Sequence, residues 1–94
     1  MRYIDVTWIH SDPEYPIRLI SEIGDDQFET RKLEFYSSGR VDHASDKANS
    51  GDTRLGEAPV PTLNEINLDS EFSGKEISCS QFESLWENHA NQKT

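Results

Sequence analysis

Three histidines, one cysteine and eighteen carboxylates are the side chains of this 94-residue chain that could carry chemistry. A metal site would need ligands at short, pre-organised spacings. His10, His43 and His89 instead fall in three separate stretches, with no HxH, HxxxH or CxxC pattern. His10 ends one apolar stretch and His43 lies in another, so only neighbouring strands would unite them. Cys79 stands between Ser78 and Ser80 with no base beside it, which reads as an inert, partly buried thiol. A lone cysteine forms no internal disulfide, and a reducing compartment is its simplest home. Acid–base catalysis needs paired carboxylates in a pocket, but with eighteen acids some pair can be drawn almost anywhere. The chain has no G-x-S-x-G elbow. Its one glycine-containing phosphate-loop candidate, RLGEA (54–58), carries an acid that repels phosphate. The expectation is a protein that is not an enzyme, with no catalytic residues, no metal and no cofactor.

Charge says more than any motif. The formal net charge is −9. Residues 1–44 hold 9 acids against 5 bases, and residues 45–94 hold 9 against 4, so the excess is no acidic tail. Such a surface repels nucleic acid and anionic lipid and draws basic proteins over long range. An acidic surface also serves plain solubility, so charge alone does not fix a partner. Mean hydropathy is −0.80, and Ile, Leu, Val and Phe together number 20. The core must be economical, with nine aromatics supplying much of its area.

These groups have to be positioned by a small set of elements. RYIDVTWIH (2–10) alternates as a strand, with Ile4, Val6 and Trp8 on one face. Two prolines break SDPEYP (11–16), and PIRLISEI (16–23) alternates again. GDDQ (24–27) and SSGR (37–40) have turn composition and bracket FETRKLEFY (28–36), which leads to a short strand around VDHAS (41–45). The loop DKANSGDTRLGEAPVP (46–61) follows, long enough to suggest either a recognition arm or a connector pinned at Leu55 and Val60. TLNEI (62–66) carries a capping box, Thr62 with Glu65, and SQFESLWENH (80–89) offers another, Ser80 with Glu83. Phe82, Leu85, Trp86 and His89 then form one apolar stripe, for which the sheet face carrying Trp8 is the expected seat. The resulting expectation is an α+β single domain over 1–94: a four-stranded antiparallel meander (1–45), a loop (46–61) and a helical C-terminal part (62–90). Both helices, the short one and the C-terminal amphipathic one, are expected on one face.

In FETRKLEFY, strict alternation puts Glu29 and Arg31 in line with Leu33 and Phe35. In one account both charges emerge past the end of the covering helix. In another, a half-polar sheet face receives a partner. In either, Arg31 can pair with Glu22 of the neighbouring strand or with Glu29.

YIDVTWIH (3–10), SEI (21–23), ETRKLEFY (29–36), SGR (38–40), TRLGEAPVPTLNEIN (53–67) and EISCSQFESLW (76–86) resemble a bacterial family of small domains of unknown function. The likeness runs nearly the whole chain, chiefly through W-x-H near the start, TRLGE-x-P-x-P and F-x-x-L-W. It implies a small cytoplasmic protein related to immunity partners of polymorphic toxins, and brings no catalytic residues with it. Resemblance and charge together imply an immunity or antitoxin protein that neutralises a basic toxin, in all expectation a nuclease. Tyr15 and Tyr36 are the candidate aromatic anchors, and Asp46, Asp52 and Glu57 the candidate acids. The alternative is a non-catalytic interaction or regulatory domain of a cytoplasmic bacterial protein. A third reading is a small enzyme or ligand-binding domain using His10, Glu22 and Arg31 around the sheet. Nucleic acid and membrane are not expected partners, since no stretch is long and apolar enough to cross a bilayer.

Overall fold

The structure, a computed structural model, describes residues 1–47, 49–51 and 53–90. The expected meander forms: β1 (Arg2–Trp8), β2 (Arg18–Ile23), β3 (Glu29–Phe35) and β4 (Val41–Ser45) are antiparallel neighbours in chain order. The chain then crosses one face of the sheet and forms α1 (Leu63–Leu68). It returns as β5 (Phe72–Glu76) beside β1, and ends in α2 (Cys79–His89). The sheet therefore has five strands in the order β4-β3-β2-β1-β5, not four. The added strand, FSGKE, has one large apolar residue and a glycine, so neither period two nor propensity marks it. Its register against β1, from Ile4 opposite Glu76 to Trp8 opposite Phe72, makes it a strand.

The two helices lie on opposite faces, not one, and α2 packs on the face away from Trp8, which corrects its expected seat. On the Trp8 face, Ile4, Val6 and Ile23 pack against Val60, Leu63 and Ile66 of the incoming chain and α1, and against Phe72. On the other face, Ile20, Leu33 and Phe82 are fully buried, with Tyr3, Phe35, Val41, Ile77, Leu85 and Trp86 around them. Burying a side chain such as Phe82 is worth about 2–3 kcal/mol, so α2 is held chiefly by its stripe.

Local sequence explains the difference in seating. The N-cap of α2 is Ser78 with Gln81, not Ser80 with Glu83. A start at Ser78 puts Ile77 just before the cap and Phe82 at the fourth helical position, the spacing of a hydrophobic staple. Both then enter the same cluster. In α1 the expected box of Thr62 and Glu65 is present. Gly74 of β5 lets α1 approach the sheet, since a Cβ there would stand 2.9 Å from Leu63 and 3.3 Å from Val6.

A β-bulge decides which charges go where. Glu22 pairs with Arg31 but Ile23 pairs with Glu29, which leaves Thr30 as the extra residue of β3. One inserted residue reverses the side-chain alternation. Arg31 thus stays with Leu33 and Phe35, while Glu29 turns to the α1 face beside Ser21 and Lys32. Strict alternation placed Glu29 on the wrong side.

Both outer strands are capped at mid-length by polar residues of the same chain. On β5, the Asn67 amide accepts from Gly74 N–H at 2.7 Å and donates to its carbonyl at 3.1 Å. On β4, Ser50 N–H donates to the His43 carbonyl, and the His43 N–H donates to Ser50 Oγ, each at 2.8 Å. These caps occupy the groups through which a foreign strand would pair.

Candidate functional site

The charges divide into those the fold uses and those it displays. Beneath α2, the Arg31 guanidinium donates to Glu22 at 2.9 and 2.6 Å and to Glu83 at 3.1 and 2.6 Å. It also stacks about the rings of Phe82 and Trp86, at 4.9 and 5.0 Å. The expected pair of Arg31 with Glu22 forms, and the helix covers it, so Arg31 neither emerges past the helix nor waits on an open face. Hydrogen bonds from Arg31 hold the Glu22 carboxyl below the ordinary carboxylate value against the opposing effect of burial. Paired with Glu22 and then Glu83, Arg31 is itself held even more firmly charged. The Tyr3 phenol is pushed up by a hydrogen bond to Cys79, then by burial and by Glu22.

On the α1 face, Lys32 lies between Glu29 and Glu34, at 3.7 and 3.4 Å. The 46–61 loop adds neutral donors to the same carboxylates, Gly56 N–H to Glu29 and Thr53 hydroxyl to Glu34, both at 2.8 Å. The connector is held mainly by these polar contacts, with Val60 N–H bonded to the Gln27 carbonyl. Asp5 takes a bidentate pair from Arg18, and Asp42 takes Arg40. Four bases thereby engage six acids. Among the described residues, eleven acidic and four basic side chains lie outside these pairs, a balance of −7.

The displayed aromatic surface lies where β1 ends. Phe72 stacks on Trp8 at 5.6 Å, and Trp8 meets Tyr15 at 5.8 Å and His10 at 4.5 Å. His10 fixes the proline-containing loop: Nδ1 accepts from Asp12 N–H at 3.0 Å, which leaves Nε2 as the donor to the Pro16 carbonyl at 2.8 Å. Tyr15, at the outer end of the row, is 52% exposed, and Asp12, Glu14 and Glu71 beside the row are exposed acids. Glu71 accepts from Trp8 Nε1 at 3.4 Å.

Of the five candidate contact residues, the structure brings the two tyrosines to one end of the sheet. Tyr36 shares a cavity of about 210 Å³ with Glu14, Arg40, Asp42 and Gly51. It is half-buried rather than openly exposed, with the Arg40 guanidinium 4.1 Å above its ring and its hydroxyl donated to Glu34. Asp46 and Glu57 are exposed at the opposite end, as the register of Ser45 with Arg31 and the Gly56–Glu29 bond require. Asp52 lies outside the described residues. Sequence reading missed Phe72, Glu71 and Glu14, and the W-x-H spacing with the following P-x-x-P was the available signal.

The third candidate site is not assembled. Glu22 and Arg31 bind one another at the Tyr3 end of the sheet, whereas His10 is fixed at the Trp8 end. His43 lies on β4, separated from β1 by two intervening strands, against the Trp86 ring. Cys79 is exposed at the first turn of α2, not partly buried. Among the described residues, no three His, Cys, Asp or Glu side chains are grouped so as to hold a metal, and no helix is long and apolar enough to cross a membrane.

A family model described as a domain of unknown function, DUF6881, matches residues 2–91, and the chain belongs to that family. No curated protein and no solved structure gives a match.

Proposed function

We propose that the domain is a non-catalytic immunity or antitoxin protein that clasps a basic bacterial toxin, in the first instance a nuclease, and blocks its substrate surface. The observation that carries this reading is the −7 of the described side chains left outside the Arg and Lys ion pairs, with exposed Asp12, Glu14 and Glu71 beside a partly exposed row of Phe72, Trp8 and Tyr15. Negative potential speeds encounter with a basic surface, and a buried aromatic anchor supplies the slow dissociation. A lone cysteine and the absence of a required oxidation step suit a cytoplasmic site of action.

The test is co-expression with the product of the adjoining gene. A stable complex with a basic, growth-inhibiting protein, restored growth, and an affinity reduced at least about tenfold by Tyr15→Ala are expected. A neutral or acidic neighbour that neither binds nor inhibits growth would remove the reading.

The dispersion of the displayed acids favours one alternative. Asp46 and Glu57 stand far from the tyrosines, which suits a broader interaction or regulatory domain contacted on several sides. That alternative gives a partner without toxicity.

A further inference from the structure

Between α1 and the sheet lies a cleft of about 490 Å³, within the size range of ligand and side-chain pockets. Ile4, Val6 and Leu19 form its sheet wall, and Val60, Ile66 and Phe72 contribute the remaining large apolar surface. Its ionisable lining is acid alone: Glu29, Glu65 and Asp69. Glu65 and Asp69 are exposed and four residues apart, at the two ends of α1. Glu29, deeper, is paired with Lys32 at 3.7 Å and bonded by the Ser21 hydroxyl at 3.0 Å and by Gly56 N–H, so the open charge is that of Glu65 and Asp69. The pocket is therefore greasy within and negative at its mouth.

We infer that this cleft receives a segment of the partner in which a bulky apolar side chain is flanked by lysine or arginine. The apolar residue would fill the wall between Val6 and Ile66, and the flanking cation would meet Glu65 and Asp69. The sheet edges favour this mode, because Asn67 and Ser50 already occupy the outward groups of Gly74 and His43. Strand addition is closed at those points, so a concave site is where the partner's apolar surface can leave water. The inference rests on the reading that the partner is basic.

The experiment follows methyl and amide NMR resonances while adding acetylated, amidated Lys-Leu-Phe-Lys or Glu-Leu-Phe-Glu. The lysine peptide is expected to shift Ile4, Val6, Val60 and Ile66 saturably, and the glutamate peptide to leave them in place. Glu65→Gln and Asp69→Asn retain their capping acceptors and should each weaken the lysine peptide about threefold. Unmoved cleft methyls, or equal binding of both peptides, would overturn the inference. Leu19→Trp, checked by thermal melting, fills the cleft, and the two charge variants carry the test should it fail to fold. An authentic basic partner that binds Leu19→Trp at full affinity defeats the cleft and spares the functional reading. Peptide binding by a domain that has no basic partner does the reverse.

Discussion

Beneath α2, the sheet meets a helix whose Phe82 is fully buried and whose Glu83 closes on Arg31. Beneath α1, the corresponding space holds Leu63 and Ile66, which are only half-buried, and a cleft stays between helix and strand. The first helix has eleven residues and a four-member apolar stripe; the second has six residues and two apolar contacts. A short helix cannot cover a five-stranded sheet, and the loop that precedes it adds hydrogen bonds to carboxylates more than apolar area. Both faces use charges to hold the fold, but only the α1 face also leaves acid and apolar surface together at an opening.

The largest effect should come from the plug of the closed face. Phe82→Ala is expected to cost about 4 kcal/mol in urea unfolding, against about 1–2 kcal/mol for the half-buried Leu63→Ala. Equal losses would break the distinction between the faces. Arg31→Met should cost about 3 kcal/mol, because it leaves Glu22 charged beneath the helix. The double variant Glu22→Leu/Arg31→Met should recover most of that loss. A double variant no more stable than Arg31→Met would show that burial of Glu22 was not the cause.

The same pair has a pH signature. The Glu22 carboxyl titrates lower in the folded than in the unfolded chain. Its stabilisation is thus complete above the unfolded value of about 4.3 and is lost as pH falls through the lowered folded value. Urea midpoints followed downward from about pH 6 should fall less in the double variant, which lacks Glu22, than in the native protein. The smallest effect is expected from Asn67→Ala, about 1 kcal/mol or less. Its useful readout is sedimentation velocity, where uncapping Gly74 should promote concentration-dependent self-association. An unchanged monomer–dimer balance would deny the amide its role as an edge cap.

The meander and the helix stripe were legible in the sequence because alternating Ile, Val and Leu, and Phe82-Leu85-Trp86-His89, state their period directly. β5 was hidden because its pairing depends on the distant β1, and Phe-Ser-Gly-Lys-Glu has no pattern of its own. The side taken by Glu29 was hidden for a subtler reason. The extra residue at Thr30 shifts the register only once β2 is alongside, so no count along one strand reveals it. Likewise Ser78 and Ser80 both offer a capping box, and only the joint packing of Ile77 and Phe82 selects the first. The candidate site was half legible: composition marked its acidity and Tyr15 stood out as an exposed aromatic, whereas Phe72 and Glu71, which meet Trp8, lie more than sixty positions away from it.

The most direct test of the account is capture from the native strain on the wild-type and Tyr15→Ala domains side by side, followed by titration of the recovered protein from about 50 to 500 mM salt. The account predicts a basic protein whose affinity falls steeply with salt and at least about tenfold with the substitution. A partner of neutral or acidic charge, held equally well by both domains at every salt concentration, would contradict it.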